Sequence, residues 1–487
     1  MIDQTDTFKT PFVFIIFGGS SDNSYQKIYP ALYDIAEKKL LPEKFAIIAT
    51  GRRYTQSEFY DFFQHSITSD NRHHKHSVDT DFFKLLKDHI HFFPGDNTKL
   101  SFYKDLKIYI DKLDKNSDYG NRLFYLGLPQ SIYPTVFKNL KKSSLHKSLN
   151  GWTRILIEKP IGSDLASAKR YDRLFTRIFK EEQIFRLDHY LGKETLENVL
   201  SFRFENNLFE NLLNWKYLDH IQITAAEDFG IAKRGKFYDE TGALKDVGQN
   251  HLLQMAALAT MEKPKDESDM AIVKARTKLI KSLRAKPTDV VYGQYTKGAV
   301  NGQKAVSYLD EESVKKNSKT DTFFAIKAYV SNKRFHNIPI YIRAGKQLNA
   351  WITEISYVFK SKNVGENILT IRIQPNEGIA LKILTKKPGY TKTLESTLMQ
   401  FCYKHYFSGE TFDAYEKLIQ DAFVGKRTSF NDSLEVEAEW RFIDALSKNR
   451  TPVRYYEAGS WGPKEAFDLI EKDGRSWIEP YAAFCQI

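Results

Sequence analysis

The sequence has few thiols and no long apolar run. Cys402 and Cys485 are the two cysteines among 487 residues. Two are too few to build a disulfide framework, and their spacing fits no metal site. A reducing, cytoplasmic setting is expected on that basis. No uninterrupted apolar stretch reaches the roughly 20 residues that a membrane helix needs, and the opening MIDQTDTFKTPF lacks the basic-then-apolar order of a secretory signal. No membrane partner is therefore expected. A basic tail or stripe is missing too: the net charge is +11, but the lysines and arginines are spread along the chain. With no nucleic-acid motif present, small phosphorylated ligands fit that charge at least as well as a polyanion, and no nucleic-acid partner is expected.

What is present reads as an ordinary globular chain, 42% hydrophobic and 27% charged. Its length calls for two or three domains. FVFIIF, from Phe12 to Phe17, is a continuous apolar run of buried-strand length. A loop rich in Gly and Ser follows (GGSSDNS), then helical spacing from Tyr25 to Lys39, then a second strand, FAIIATG, from Phe45 to Gly51. Such a β-α-β unit turns backbone N–H groups and a helix dipole towards a pyrophosphate. NRLFYLGLP and TRILIEKPIG read as later strands of the same sheet. The second half differs. ILTIRIQPNEGIALKILTKKPG alternates about a PNEG turn, as a half-buried hairpin does, and FFAIKAYV and IPIYIRAG supply further strands. Ala414 to Phe423 and Ser433 to Ser447 read as helices. The expected fold is a Rossmann-like dinucleotide-binding domain over 1–188, followed by a larger α+β domain with an antiparallel sheet over 189–487.

Three places carry chemistry. At the end of the second strand, where an enzyme preferring NAD places an acidic residue for the ribose, stand Gly51, Arg52 and Arg53. Guanidinium groups pair with a ribose 2′-phosphate, so NADP is favoured. Second, in IFRLDHYLGKE (Ile184 to Glu194), a helical conformation would put His189 and Lys193 one turn apart with Tyr190 beside them, a pocket for an anion. Third, YDETGALKDVGQNHLLQM holds His251 at the edge of an apolar helical stripe, with Asp246 just upstream and Glu227 earlier in ITAAEDFG. The His-rich NRHHKHS, from Asn71 to Ser77, reads as a polar loop rather than a metal site.

With these segments in view, the chain resembles the glucose-6-phosphate dehydrogenase family of bacterial type, nearly from end to end. The likeness lies in GGSSDNSYQKIYPALY, NRLFYLGLP, GWTRILIEKPIG, FRLDHYLGKE, FYDETGALKDVGQNHLLQMAALATMEKP, VYGQY, IPIYIRAGKQL, DAYEKLIQDAF and AGSWGP. The pair DHYLGKE and DVxQNHLLQ is the specific part. The resemblance implies oxidation of glucose 6-phosphate to the lactone with reduction of NADP, NAD being a possible second cofactor, and no metal. It implies that His251 is the general base and Asp188 the carboxylate paired with that imidazole. His189, Tyr190 and Lys193 would hold the sugar's phosphate, while Glu227 and Asp246 would bond its hydroxyls. Lys159 would stand between substrate and cofactor, Pro160 would act as a hinge beside it, and Lys346 would be a further substrate lysine. Gly18, Gly19, Ser20 and Ser21 would form the nucleotide loop, with Asp96 and Asn97 near another cofactor contact. A homodimer or tetramer is implied as well.

The chain departs from the family in its loop, which normally reads Gly-x-x-Gly-Asp-Leu-Ala. Ser21 replaces a glycine, Asn23 replaces the leucine, Tyr25 and Gln26 stand where basic residues are common, and Trp351 replaces a second basic substrate residue. Ser21 adds a side chain where backbone should approach the pyrophosphate, so these changes predict weakened or altered cofactor affinity rather than a dead active site. A non-catalytic or regulatory paralogue, or a dehydrogenase of another sugar phosphate, are the alternatives.

Overall fold

The computed structural model describes residues 10–69, 80–117, 119–148, 150–361, 366–407, 412–448, 450–481 and 484–485. Within it the chain forms two compact units. The His-rich segment at 71–77 lies outside the described residues. The first unit comprises Met1–Gly162, Ala166–Gly192 and Phe412–Ser433; the second comprises Ser163–Leu165, Lys193–Thr411 and Leu434–Ile487.

The first unit is built on parallel strands β1 (Phe12–Phe17), β2 (Phe45–Gly51), β3 (Ile90–Pro94), β4 (Asn121–Leu126), β5 (Thr153–Ile157) and β6 (Ile184–Leu187). Their order is β6-β5-β4-β1-β2-β3, with the short strand Phe430–Asn431 antiparallel at the β6 edge. Every residue of β1 is buried, because helices cover both faces of a parallel sheet and an alternating pattern would bury polar groups. One covering helix comes from late in the chain. Ala414–Val424 begins with a capping box from Asp413 and Glu416 and ends at the left-handed Gly425. Its Leu418, Ile419, Ala422 and Phe423 join the core under β1, with the Phe423 ring 4.2 Å from that of Phe12.

The second unit holds a ten-stranded sheet that is largely antiparallel. The predicted hairpin is there as Ile368–Gln374 and Gly378–Lys386, with Leu369 opposite Leu381 and Ile371 opposite Ile379. Two neighbouring pairs run parallel instead. One joins Leu218–Ala226 to Ile340–Gly345, and the other joins Val290–Thr296 to Arg454–Glu457. The first of these parallel pairs positions the candidate site.

The cysteines require a correction. Cys402, the last residue of the edge strand Leu394–Cys402, is joined to Cys485 in a disulfide across 83 residues. Two cysteines do suffice for one bridge, and the fold brings together what sequence distance held apart. The expectation of a reducing setting loses this premise. Cross-linking a loop of that length stabilises by about 2–4 kcal/mol. The double variant Cys402→Ser/Cys485→Ser should therefore unfold at lower denaturant than the parent, and thiol titration of the denatured parent should find reactive thiols only after reduction. Two reactive thiols before reduction would contradict the bridge.

Candidate active site

Parallel pairing brings the carboxyl ends of β1, β2, β3 and β4 to one edge of the first sheet. β1 lies between β2 and β4, so the strand order reverses direction at its end, where open α/β sheets bind dinucleotides. Gly18 leaves β1 with φ of 80°, and a Cβ there would stand 2.2 Å from the carbonyl oxygen of Gly127, at the end of β4. No other residue type fits that close approach. Ser21 is not among the residues with positive φ, so the position tolerates a side chain. Its Oγ accepts the Ser24 N–H at 3.2 Å, and its own N–H donates to the Gly18 carbonyl at 2.9 Å. Ser21 thus caps the helix that follows, and the amino end of that helix faces the strand switch. The departure from glycine becomes a cap rather than an obstruction, which is the structural basis for fitting a dinucleotide here.

Arg52 and Arg53 follow β2 and are exposed. Asp96 and Asn97 follow β3. Asp96 is held below the usual carboxylate range by the Thr98 backbone N–H and hydroxyl, with the Arg52 and Lys99 charges adding to the effect. The Tyr103 hydroxyl donates to the Asn97 carbonyl at 2.8 Å, and the Thr50 hydroxyl reaches Asn97 Oδ1 at 3.3 Å, tying this loop to the end of β2. All these predicted cofactor residues therefore share one sheet edge.

The stretch IFRLDHYLGKE is not a helix, which corrects the one-turn spacing expected of His189 and Lys193. Ile184–Leu187 is β6, paired in parallel with β5. Asp188 then makes a turn: its Oδ1 accepts the Tyr190 N–H at 2.9 Å and its carbonyl accepts the Leu191 N–H at 3.0 Å. An aspartate that bonds the backbone two residues on competes with helix formation. Lys193 is the N-cap of the next helix, Glu194–Glu205. Gly192 has a packing reason, since a Cβ there would meet the Ala414 carbonyl oxygen at 2.6 Å. His189 lies edge-on to Tyr190, with ring centroids 5.1 Å apart, and is stacked at 6.4 Å from Tyr415.

Lys159 and Pro160 follow β5, joined by a cis peptide. Before them, buried Glu158 takes two phenol hydroxyls on one oxygen, from Tyr125 at 2.9 Å and Tyr415 at 3.2 Å. Burial and the Glu158 charge push both phenols up, so they stay neutral donors. Glu158 and Tyr415 lay inside recognised motifs, but no local signal marked them as partners.

In the second unit, parallel pairing again aligns strand ends. Ala226 is opposite Gly345, so Glu227 and Lys346 emerge side by side and form an ion pair. Leu348 N–H donates to the Glu227 carbonyl at 2.9 Å, and the Tyr456 hydroxyl donates to the Lys346 carbonyl at 2.7 Å, fixing both backbones. Trp351 precedes a strand whose Ile352 also pairs with Ala226, so it reaches the same edge, half-buried. Tyr238 stands by Lys346, whose Nζ lies 5.4 Å from the ring centroid. Burial pushes the Tyr238 phenol up, and the charges of Asp246, Asp321 and Glu227 add to it. Asp246 is buried and faces Arg234 at 3.3 Å. Asp246 and His251 share the π-helix Leu244–Leu252, where His251 is 2% exposed. Tyr238 and Arg234 were not singled out from the sequence.

The glycine-cornered switch point marks the class: a dinucleotide-binding α/β protein. A family model described as the NAD binding domain of glucose-6-phosphate dehydrogenase matches residues 15–198, and the C-terminal domain model of the same family matches residues 200–478. The glucose-6-phosphate 1-dehydrogenase of Chlamydia muridarum (strain MoPn / Nigg) is 35% identical over 96% of each chain. That of Bacillus subtilis (strain 168) is 35% identical over 96% of this chain and 98% of its own. A solved glucose-6-phosphate dehydrogenase in complex with its substrate glucose-6-phosphate superposes with a TM-score of 0.89 at 31% identity, over 97% of this chain and 99% of that one. The chain belongs to the glucose-6-phosphate dehydrogenase family.

The close approach at Gly18 yields a prediction. Gly18→Ala must move the end of β1 or β4, at a cost of about 1–3 kcal/mol that falls on the cradle. The dissociation constant for NADP+, measured by fluorescence or calorimetric titration, should rise about tenfold or more. Parent-like affinity would contradict the placement.

Proposed function

We propose that this chain oxidises D-glucose 6-phosphate to 6-phospho-D-glucono-1,5-lactone with reduction of NADP+, the entry reaction of the oxidative pentose phosphate pathway. The observation that carries the reading is the nearly end-to-end likeness to glucose-6-phosphate dehydrogenases, one of them solved with that sugar phosphate.

The reaction removes a hydride from the anomeric carbon and a proton from its hydroxyl. NADP+, when bound, supplies the hydride acceptor. Gly18, Gly19, Ser20 and Ser21 would take its pyrophosphate, Arg52 and Arg53 its ribose 2′-phosphate, and Asp96 and Asn97 a neighbouring contact. Two exposed guanidinium groups where an acidic residue would serve NAD support NADP as the preferred cofactor, with NAD as a second one. His251 is assigned the proton, as a neutral imidazole suited to accept it near pH 7. Asp188 is assigned the carboxylate that steadies the resulting imidazolium. His189, Tyr190 and Lys193 would bind the phosphate, whose binding energy orients the reacting carbon. Glu227 and Asp246 would accept from sugar hydroxyls. Lys346 would donate to the sugar, and Lys159, beside Pro160, would orient substrate against cofactor. None of these assignments calls for a metal. A homodimer or tetramer is the assembly expected of the family. A cytoplasmic setting fits a phosphorylated sugar and NADP+, and no helix among the described residues is long and apolar enough to cross a membrane.

Purified protein given glucose 6-phosphate and NADP+ should form reduced nicotinamide, with turnover dependent on both. His251→Asn should lower kcat by about 10²–10⁴. No nicotinamide reduction by the parent at any cofactor concentration, NAD+ included, would overturn the reading.

A further inference from the structure

His251 lies on backbone of an uncommon kind, and the second unit contains what holds it. The π-helix Leu244–Leu252 runs directly into the α-helix Leu253–Thr260. π turns are rare and persist where their surroundings hold them. The far end of this segment is anchored by Arg203, which donates to the carbonyls of Leu258 and Met261 at 2.7 and 2.8 Å, and by Tyr357, which donates to that of Ala259 at 3.0 Å.

The amino end is held by Asp321, which accepts the Leu244 N–H at 2.8 Å, and the junction between π and α turns is gripped by one further carboxylate. Glu439, on the helix Ser433–Ser447 and 0% exposed, accepts Gln249 Nε2 on one oxygen at 2.8 Å and Gln254 Nε2 on the other at 2.7 Å. These two glutamines flank His251. In an α-helix, side chains five residues apart point roughly 140° away from each other. Gln249 lies within the π turn and Gln254 in the first turn of the α-helix after it, so the wider π winding over the first part of that interval brings the two side chains closer in direction. A single carboxylate spanning both therefore favours the π register over the α register. Slipping to the α register would turn a side chain there by roughly 100°. The helix bearing Glu439 is itself fixed one turn earlier: Glu435 and Arg276 form a buried two-point ion pair at 2.9 and 3.1 Å.

We propose that Glu439 is a positioning residue for His251, setting the π-helical register of Leu244–Leu252 through Gln249 and Gln254 and so aiming the imidazole. The proposal rests on the reading of His251 as the general base.

The test compares Glu439→Ala, Glu439→Gln, Gln249→Met and His251→Asn with the parent. Glu439→Ala and Gln249→Met should lower kcat about 10- to 100-fold, with KM for glucose 6-phosphate changed far less, because a misaimed base costs chemistry rather than binding. The acid limb of kcat/KM against pH should also move, since the imidazole changes surroundings. Glu439→Gln keeps the shape and one acceptor oxygen, and should recover part of kcat. Folded variants with parental kcat and pH profile, lowered only in thermal midpoint, would overturn the proposal. Should Glu439→Ala fail to fold, Gln249→Met and Gln254→Met decide by the same readings. An inactive His251→Asn beside fully active glutamine and Glu439 variants sinks this proposal alone. A fully active His251→Asn sinks the base assignment beneath it.

Discussion

The structure depends on strands that run the same way. A parallel pair delivers both its chain ends to one edge, so residues distant in sequence leave the sheet together. In the first unit this places Gly18, Arg52, Asp96 and Gly127 just beyond four neighbouring strands. In the second, a sheet otherwise mostly antiparallel keeps a parallel pair where Ala226 faces Gly345, and the next residues on each strand, Glu227 and Lys346, meet as an ion pair. An antiparallel arrangement would have sent them to opposite edges. Loops supply the side chains, but strand direction decides which can work together.

Such an edge functions only if the strands beneath it do not slide. On the strand that ends at Gly345, buried Arg343 lies 5.1 Å from the Trp461 ring and 4.3 Å from the Trp477 ring, and donates to the Thr224 hydroxyl at 3.1 Å. That bond crosses to the neighbouring parallel strand, and burial lowers the guanidinium to about 9. A buried cation is costly unless bonded and packed, so any slip between the two strands would break its cage. The same principle recurs where Glu158 gathers Tyr125 and Tyr415, and where Glu439 gathers Gln249 and Gln254. In each case a buried carboxylate is bonded at short range, and it fixes an element next to a proposed site residue.

Much of this was legible in the chain itself because local periodicity carries it. FVFIIF has the length and continuity of a strand covered on both faces, and the alternation about PNEG is the pattern of a hairpin. Other features depend on contacts that no local pattern records. IFRLDHYLGKE has spacing compatible with a helix, yet β6 claims its first four residues and the Asp188 side chain turns the chain at once. The bridge from Cys402 to Cys485 spans 83 residues, and two cysteines taken one at a time say nothing of it. Ala414–Val424 reads as a helix, but not as part of the core beneath β1, some 400 residues away. Ser21 looked like an obstruction because only the glycine pattern was visible; its capping bond to Ser24 appears once the helix is placed. Burial, partners and pairing direction are properties of the fold, so the sites that depend on them come into view only there.

The phosphate contacts proposed for His189, Tyr190 and Lys193 suit a phosphorylated sugar rather than a sugar alone. The most direct measurement compares kcat/KM for glucose 6-phosphate with that for glucose, at saturating NADP+. A preference of about a thousandfold or more is expected, because binding energy at the phosphate is realised at the reacting carbon. Equal kcat/KM values for the two sugars would contradict it.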